Sequence, residues 1–330
     1  MRKNNAAPTM KDVAKDAGVA LGTVSKVVNG LPVGEEYRIR VENSIRKLNY
    51  QINSYAQGMK SGRTGTVAVL VPHINHPYFA SLVQSLNWAL AAQSCRMLLF
   101  CSDFDPSAEQ NCITLAQQNK VDGIIGLTYN PQLQIDDHTP FVSIDRVLSS
   151  SIPCVASDNY QGGQLAAEKL AELGCRKVAF LRIGSRLDNE PNKRKAGFEN
   201  GCLAHQLDYT LKILEDGDSY SEFEAFLEEH MHNGALDFDG LFCVTDGLTY
   251  DIIKTLKRLG VKVPDDVQVI GFDGTRYFGD KDLVCSTIVQ PVREIAETAV
   301  NLLFQNRLTS MPSLVCLPIT FAEGGTTKSL

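Results

Sequence analysis

Residues 9–29, TMKDVAKDAGVALGTVSKVVN, contain two short amphipathic helices with almost no connector between them. Thr9 is suited to the N-cap of the first helix, and Asp12, three residues later, completes a capping box. Apolar residues recur at helical spacing on both sides of Gly18, which fits the left-handed residue that ends a helix. The segment therefore predicts a helix-turn-helix, a motif that reads DNA but also occurs as a plain structural corner.

The second of these helices is predicted to present short polar groups, one cation and one amide to solvent. Such groups suit contact with base edges and phosphates in the major groove. They belong to Gly22, Thr23, Ser25, Lys26 and Asn29.

The order T-x-x-D-V-A-x-x-A-G-V-x-x-x-T-V-S-x-V-x-N closely resembles the N-terminal signature of the lac-repressor family of bacterial transcription regulators. The resemblance implies contact with double-stranded operator DNA. It implies that the contacts come from the first helices and from a following hinge. The residues at the matching positions are Thr9, Leu21, Gly22, Thr23, Ser25, Lys26, Asn29, Tyr37, Asn53, Tyr55, Ala56 and Met59.

The hinge is the polar segment 51–64, which on composition alone is a flexible linker. By the resemblance it becomes a short helix when two chains meet on DNA. Ala56 and Met59 then match the family's minor-groove residues, with methionine in place of the usual leucine wedge. Gly58 makes this helix about 1 kcal/mol harder to form than alanine would.

Several positions depart from the family pattern. Ala20 replaces the serine that usually caps the recognition helix, and Gly34 and Tyr37 replace a serine and a threonine that bind phosphate. Leu21 and Gly22 occupy the usual base-choosing positions, and neither can read a base edge by hydrogen bonds. The operator sequence therefore does not follow from the family.

Charge divides unevenly along the chain, although the total of −6 at first argues against nucleic acid. Residues 1–63 hold 11 basic and 5 acidic residues, and the rest holds 21 and 33. A basic module joined to an acidic body fits phosphate contact by the first and repulsion of DNA by the second.

A length of 330 residues predicts at least two domains. The apolar runs are too short to cross a bilayer, and the basic N-terminus lacks the apolar core of a secretory signal. The sequence has nine cysteines and no CxxC pair. Most of them lie in apolar strand-like runs, among them Cys101 and Cys243, which is typical of reduced core thiols. These features favour a cytoplasmic protein that does not contact membranes.

After a third helix at about 35–49, with Tyr37, Val41, Ile45 and Leu48 on its buried face, the pattern changes at Gly65. Apolar strands then alternate with helices in two series, which predicts parallel sheets in two Rossmann-like halves. The region resembles the regulatory body of the same family, whose fold is that of periplasmic sugar-binding proteins. The expected fold is thus an all-α helix-turn-helix domain and hinge followed by an α/β periplasmic-binding-protein-like body.

The expected domains are a DNA-binding domain at 1–50, a hinge at 51–64, and an effector-binding and dimerisation domain at 65–330. In the last, one lobe comprises about 65–159 and 290–319, and the other about 160–289 and 320–330.

A ligand cleft is expected between the two lobes, at the carboxyl ends of the strands. The resemblance implies an aromatic platform for a sugar ring or base and polar groups for ligand hydroxyls. The matching residues are Tyr78, Phe79, Asp145, Arg146, Arg194, Thr245, Asp246, Asp273 and Gln290. His73 and Thr245 depart from the family pattern, so the effector itself does not follow by analogy.

Structural roles compete for several of these residues. Asp273 is also suited to capping the following turn, although ligand contact is favoured, and Asp246 is equally suited to capping the helix from Leu248. Arg194 lies in a basic run typical of a solvated face, and Tyr78 and Phe79 also suit the core.

Other chemistries find little support in the sequence. It lacks GxGxxG, GxxxxGK[ST] and GxSxG motifs, which disfavours a nucleotide-dependent enzyme. The pairs His73/His76 and His230/His232 are better read as surface histidines than as metal ligands, and no cofactor is expected. A transporter's solute-binding protein shares the body fold but needs export, and lacks a basic N-terminal domain.

The leading interpretation is a homodimeric repressor that binds a pseudo-palindromic operator and is released by a small-molecule effector, a sugar or sugar phosphate. Release is favoured over tightening, although the sequence does not decide it. The tail FAEGGTTKSL lacks a leucine heptad, which favours a dimer over a tetramer.

Overall fold

The computed structural model describes residues 8–50, 63–136, 138–185, 187–277, 282–305 and 313–329. The chain divides into two compact units, Met1–Thr64 and Gly65–Leu330.

The described part of the first unit is a three-helix cluster: α1 (Met10–Ala17), α2 (Leu21–Val28) and α3 (Glu35–Leu48). The predicted capping box is present, with Thr9 Oγ1 accepting from the Asp12 N–H and the Asp12 carboxylate accepting from the Thr9 N–H. Gly18 ends α1 in the left-handed conformation at φ +62°, which glycine adopts without steric cost. The predicted helix-turn-helix is confirmed.

Side chains of α3 form hydrogen bonds to the last residues of α1 and to the turn that follows it. The Arg40 guanidinium donates to the carbonyls of Ala17 and Gly18 at 2.7 and 3.1 Å, which satisfies two acceptors at the end of α1. Asp16 receives hydrogen bonds from Ser44 and Lys47 at 2.8 and 2.7 Å. The end of α1 is therefore joined to α3 by hydrogen bonds as well as by apolar packing.

The prediction that Tyr37 belongs to the buried face of α3 is wrong, because its side chain is 48% exposed. Tyr37 lies in the first turn of α3, with the Arg40 guanidinium 6.0 Å from its ring centroid. The buried positions of α3 are Val41 and Ser44.

The second unit contains two six-stranded sheets, each with helices packed against it, and the predicted two-lobed α/β fold is confirmed. The strands are β1 (Thr66–Val71), β2 (Arg96–Cys101), β3 (Gly123–Gly126), β4 (Phe141–Ile144), β5 (Cys154–Ser157), β6 (Lys177–Ile183), β7 (Asp208–Leu214), β8 (Met231–His232), β9 (Ala235–Leu236), β10 (Gly240–Cys243), β11 (Gln268–Asp273), β12 (Ser286–Val289), β13 (Leu314–Leu317) and β14 (Thr320–Ala322). The helices are α4 (Pro77–Ala92), α5 (Pro106–Gln118), α6 (Asn159–Glu172), α7 (Lys193–Ala204), α8 (Ser221–Glu229), α9 (Asp246–Arg258) and α10 (Val292–Phe304).

The first sheet has the order β13-β5-β4-β3-β1-β2 and the second β14-β12-β11-β10-β6-β7, while β8 and β9 form a small hairpin. All neighbours in the large sheets run parallel except β12 and β14. The chain passes from one sheet to the other after β5, after β12 and after β13. The polypeptide therefore crosses between the lobes three times, at the side where strands end.

Helices α6 and α7 approach so closely that their glycines touch the opposite backbone. A Cβ on Gly163 would lie 2.1 Å from the Arg194 carbonyl oxygen, and one on Gly197 would lie 1.9 Å from the Tyr160 carbonyl oxygen. Only glycine permits this approach. The packing sets where α7 begins, and with it the position of Arg194.

All nine cysteines are free thiols and six of them are buried, but the prediction of a core thiol is wrong for Cys101, which is exposed, as is Cys316. Both lie in edge strands of the first sheet, where one side of the strand has no neighbour. Within the described ranges, no helix has the length and apolar character needed to cross a membrane.

Candidate effector cleft and nucleic-acid interface

The outer surface of the first unit carries most of the side chains predicted to contact DNA. Leu21, Gly22, Lys26 and Asn29 are exposed, while Thr23 and Ser25 are half-buried. The amide of Asn29 donates to the Ser25 carbonyl at 2.6 Å. Ala20 provides no side-chain cap for α2, as its identity implies. The predicted hinge residues Asn53, Tyr55, Ala56 and Met59 lie outside the described residues.

In the second unit, strand ends from both lobes surround a cavity of about 130 Å³. Asp145 follows β4 of the first lobe, whereas Thr245 and Asp273 come from the ends of β10 and β11 in the second. Gln290 reaches in from the crossover after β12. Seven of the nine predicted effector residues line this cavity: Tyr78, Phe79, Asp145, Arg194, Thr245, Asp273 and Gln290.

Two carboxylates in the cavity are only half satisfied by the protein. Asp145 Oδ2 accepts from the Tyr78 hydroxyl at 3.3 Å, and Asp273 Oδ1 accepts from the Gln290 amide at 2.8 Å. The other oxygens, Asp145 Oδ1 and Asp273 Oδ2, are buried and receive no hydrogen bond from the described residues. Buried acceptors are rarely left unsatisfied, so these two atoms are candidate acceptors for the donors of a ligand.

The backbone at both acids lies in a conformation that L-residues seldom adopt. Asp145 has φ +60° and Asp273 has φ +130°. Such conformations cost about 1–3 kcal/mol each and cluster at functional sites. The alternative that Asp273 merely caps a turn does not account for its unsatisfied oxygen.

Burial dominates the electrostatics of these acids. It raises the pKa of Asp145 to about 6, although Arg194 and the Tyr78 hydroxyl favour the carboxylate. Burial, and then the charge of Asp246, also raise the pKa of Asp273, with Arg194 again opposing the shift. Perturbed carboxyls that meet in a cleft are typical of binding sites.

Arg194 lies at the base of the cavity and is only 4% exposed, so it does not belong to a solvated face. Its Nε donates to Asn159 Oδ1 and its Nη1 to the Val244 carbonyl, both at 2.7 Å. The guanidinium carbon lies 3.5 Å from the Phe272 ring centroid, a stacked cation–π arrangement. The guanidinium is therefore held rigidly beside the two acids.

Aromatic rings form the wall on the first lobe. Tyr78 and Phe79 open α4, are 6% and 8% exposed, and belong both to the core and to the cavity lining. His76 lies 5.1 Å from Phe79 between ring centroids, and His73 lies 5.3 Å from it. Both imidazoles are half-buried. Burial, reinforced by His73 and Arg194, lowers the pKa of His76 to about 4.

Asp246 and Arg146 do not line the cavity, contrary to prediction. Asp246 is 1% exposed, and its carboxylate accepts from the Thr287 hydroxyl at 2.7 Å and the Thr275 N–H at 2.6 Å. The predicted alternative of a helix cap also fails, because Thr245 caps α9. Arg146 donates to the Asn130 carbonyl at 2.8 Å. Both side chains therefore form hydrogen bonds within the protein.

Several lining residues escaped prediction from the sequence, among them Tyr129 and Arg182. Tyr129 lies in a loop that Glu109 fixes by accepting the N–H groups of residues 129 and 130 at 2.9 Å each. Arg182 donates to the Ser185 carbonyl at 2.6 Å. Their only sequence signal is a polar or aromatic residue near the end of a strand, which many residues share.

No group of three His, Cys, Asp or Glu suited to a metal ion occurs among the described residues. His230 packs against Phe226 and Phe238, with ring centroids 4.4 and 4.8 Å away.

The chain is similar to known regulators over nearly its whole length. Residues 9–53 match the model of bacterial regulatory proteins of the lacI family, and residues 167–327 match a periplasmic binding protein-like domain. The sucrose operon repressor of Pediococcus pentosaceus is 31% identical, covering 97% of this chain and 99% of that protein.

Solved structures agree on the fold. A periplasmic binding protein/LacI transcriptional regulator from Alkaliphilus metalliredigens, in complex with D-xylulofuranose, is 26% identical with a TM-score of 0.67; it is covered in full and covers 80% of this chain. The lac repressor dimer bound to operator and an anti-inducer is 21% identical with a TM-score of 0.81; it too is covered in full and covers 98% of this chain. The motif, the two-lobed body and the full-length similarity together show that this chain belongs to the lacI family of bacterial regulatory proteins, DNA-binding repressors of transcription and not enzymes.

Proposed function

We propose that the chain is a homodimeric repressor whose affinity for a pseudo-palindromic operator falls when a neutral carbohydrate binds between the lobes. The observation that carries this proposal is the pair of buried, unsatisfied oxygens Asp145 Oδ1 and Asp273 Oδ2. Both are acceptors, and a polyol offers hydroxyl donors at fixed spacing to meet them. An aromatic wall beside them covers the apolar face of a sugar ring.

The cavity chemistry favours a neutral sugar over a sugar phosphate. No lysine is among the residues described as lining it, and two acids face its interior. The arginines donate to protein acceptors: Arg194 to Asn159 and Val244, and Arg182 to Ser185. A phosphate dianion has no donor for the acids and would be repelled by them. The relative named as a sucrose operon repressor and the structure in complex with D-xylulofuranose support a carbohydrate of this kind.

Contact with DNA is assigned to α2 and the residues flanking it. The first 63 residues carry a net charge of +6, and Lys26 is exposed on α2. Because Leu21 and Gly22 offer no side-chain hydrogen bonds, we expect Lys26 and Asn29 to contribute more of the affinity, together with Ala56, Met59 and the shape of the operator.

A second copy of the chain is the proposed partner of the surface formed by α4 and α10. Trp88 of α4 is 63% exposed there, next to Arg293 and Glu297 of α10. Tryptophan and arginine are enriched at protein interfaces. A homodimer would place two recognition helices on one operator.

The effector can control operator binding only if two arrangements of the lobes, one more closed than the other, differ in their affinity for it. One contact already joins the lobes at the cavity: the Glu190 N–H donates to the Asp145 carbonyl at 2.8 Å. A sugar that bridges Asp145 and Asp273 would strengthen this closed arrangement. We propose that the closed arrangement is the one with low operator affinity, so that the effector induces transcription.

DNA binding is tested by selecting duplexes from a random library with the full chain and measuring affinity against salt concentration. We expect two-fold symmetric sites and an affinity loss of about 10³–10⁵ between 50 and 200 mM salt. Lys26→Gln should weaken binding to every sequence and reduce the salt slope by about 1. Lys254→Gln, which alters an exposed lysine of the body, is the matched control. Asymmetric sites would argue against a dimer, and equal affinity for selected and shuffled duplexes would refute the proposal.

Carbohydrate binding is tested by thermal denaturation with sucrose, D-ribose, cellobiose and D-xylulose, each beside a phosphorylated sugar. A ligand at 100 times its dissociation constant stabilises the folded state by about 2.7 kcal/mol, which raises the melting temperature measurably. We expect at least one neutral sugar to do so and to weaken binding to the selected operator. Stabilisation by phosphorylated sugars alone would contradict the proposed selectivity.

A further inference from the structure

Ser157, the last residue of β5, lies at a junction that the prediction of site residues missed. It is completely buried and directly precedes the first of the three segments that cross between the lobes. Its hydroxyl donates to Gln290 Oε1 at 2.7 Å, and Gln290 Nε2 donates to Asp273 Oδ1 at 2.8 Å. These bonds form a continuous chain from the first lobe, through the second crossover, to an acid of the second lobe.

A second chain starts from the backbone of the same residue. The Ser157 carbonyl accepts from Asn159 Nδ2 at 2.9 Å, and Asn159 Oδ1 accepts from Arg194 Nε at 2.7 Å. Ser157 is thus connected both to the acid and to the cation at the base of the cavity.

The direction of the hydrogen bonds from Ser157 through Gln290 to Asp273 depends on the hydroxyl proton of Ser157. The Asp273 carboxylate only accepts, so the Gln290 amide N–H groups turn toward it, and the Ser157 hydroxyl, by donating, holds the amide oxygen on its own side. With the amide reversed, Gln290 Oε1 would face the Asp273 carboxylate, oxygen against oxygen. The observed orientation engages Asp273 Oδ1 and leaves Oδ2 for a ligand.

We propose that Ser157 is a positioning residue of the effector site: through Gln290 it orients Asp273, and it ties that orientation to the crossover between the lobes. The inference rests on the proposed function, in which the cavity between the lobes binds the effector. Gln290 accordingly acts mainly on Asp273 and only secondarily on the ligand. Because Ser157 and Asp273 belong to different lobes, a movement of the lobes would disturb the chain, which links occupancy of the cavity to lobe arrangement.

The test combines a readout without ligand and a readout with ligand, in Ser157→Ala, Ser157→Thr and Ser286→Ala. Ser286 is also completely buried, but it bonds to Thr327 and Gly324 at the opposite end of its strand. The first readout is the titration of the Asp273 carboxyl by ¹³C NMR, assigned by its loss in Asp273→Asn. The charges that act on this carboxyl are Asp246, Arg194 and Asp145, and all three remain in every variant.

Ser157→Ala releases the Gln290 amide, which should weaken its hydrogen bond to Asp273 Oδ1 and raise the pKa of the Asp273 carboxyl by about one pH unit, the change expected when a hydrogen bond to a charged group is lost. Ser157→Thr keeps the hydroxyl and should restore the titration, and Ser286→Ala should leave it unchanged. The dissociation constant of the sugar that stabilises the wild-type chain should rise about tenfold in Ser157→Ala only.

An Asp273 titration that is the same in Ser157→Ala and the wild type overturns the inference, as does an equal change in Ser286→Ala. If no tested sugar stabilises the wild-type chain while Ser157→Ala still changes the Asp273 titration, the carbohydrate proposal fails and the positioning role of Ser157 stands.

Discussion

Gly163→Ala is expected to lower the free energy of unfolding of the body by about 3 kcal/mol or more. The new Cβ would lie 2.1 Å from the Arg194 carbonyl oxygen and 2.7 Å from the Phe198 nitrogen, both backbone atoms that no rotamer change can move. The two helices would have to separate, which opens the core around Phe198. Since the displaced backbone belongs to Arg194, stabilisation by the effector should be lost as well.

The measurement is urea unfolding followed by circular dichroism, together with the thermal shift caused by sugar. Gly22→Ala is the matched control, because it changes a helical glycine that has no atom within 4 Å of the added Cβ. There the helix should become more stable by up to about 1 kcal/mol. Wild-type stability in Gly163→Ala would show that α6 and α7 are not packed backbone to backbone.

Asp145→Asn is expected to raise the stability of the chain without ligand at pH 7 while abolishing its response to sugar. Burial raises the pKa of Asp145 from 3.8 to about 6, so the folded state binds a proton more tightly than the unfolded state. This contribution to stability is complete below pH 3.8 and is lost as pH rises through about 6. Two pH units correspond to about 3 kcal/mol, the gain expected at pH 7 when asparagine removes the charge.

The variant keeps an oxygen for the Tyr78 hydroxyl but turns an amide donor toward the ligand, which should abolish sugar binding. Stability of the variant minus wild type, measured by urea unfolding from pH 4 to 7, should increase across this range. Asp251→Asn in α9 removes an exposed carboxylate and should show no such increase. If the difference in the free energy of unfolding between Asp145→Asn and wild type stayed constant with pH, the pKa of Asp145 would not be raised by burial.

The sequence alone predicts the role of Asp145 better than the role of Gly163. Asp145 follows a short apolar run, FVSID, so its place at a strand end was predictable. Gly163 is one of two adjacent glycines in a helical segment, and nothing local reveals which one meets another backbone. That depends on where α7 lies, and α7 begins only at Lys193.

Local sequence was enough to specify the helix-turn-helix and the alternation of strands and helices, because capping, glycine stops and apolar periodicity act over a few residues. It also specified the separation of charge between the first 63 residues and the rest. Resemblance to the family identified seven of the residues that line the cavity, since strand ends in a parallel sheet meet at one edge.

Which of these side chains face the ligand cavity depends on the tertiary packing alone. Asp246 and Asp273 both end or follow strands of one sheet, yet Asp246 is satisfied by Thr275 and Thr287 while Asp273 keeps an unsatisfied oxygen. The difference arises from partners distant in sequence, as does the connection of Ser157 to Gln290, 133 residues apart. Hydrogen-bond satisfaction inside a protein is a property of the packed whole, and short-range sequence pattern does not encode it.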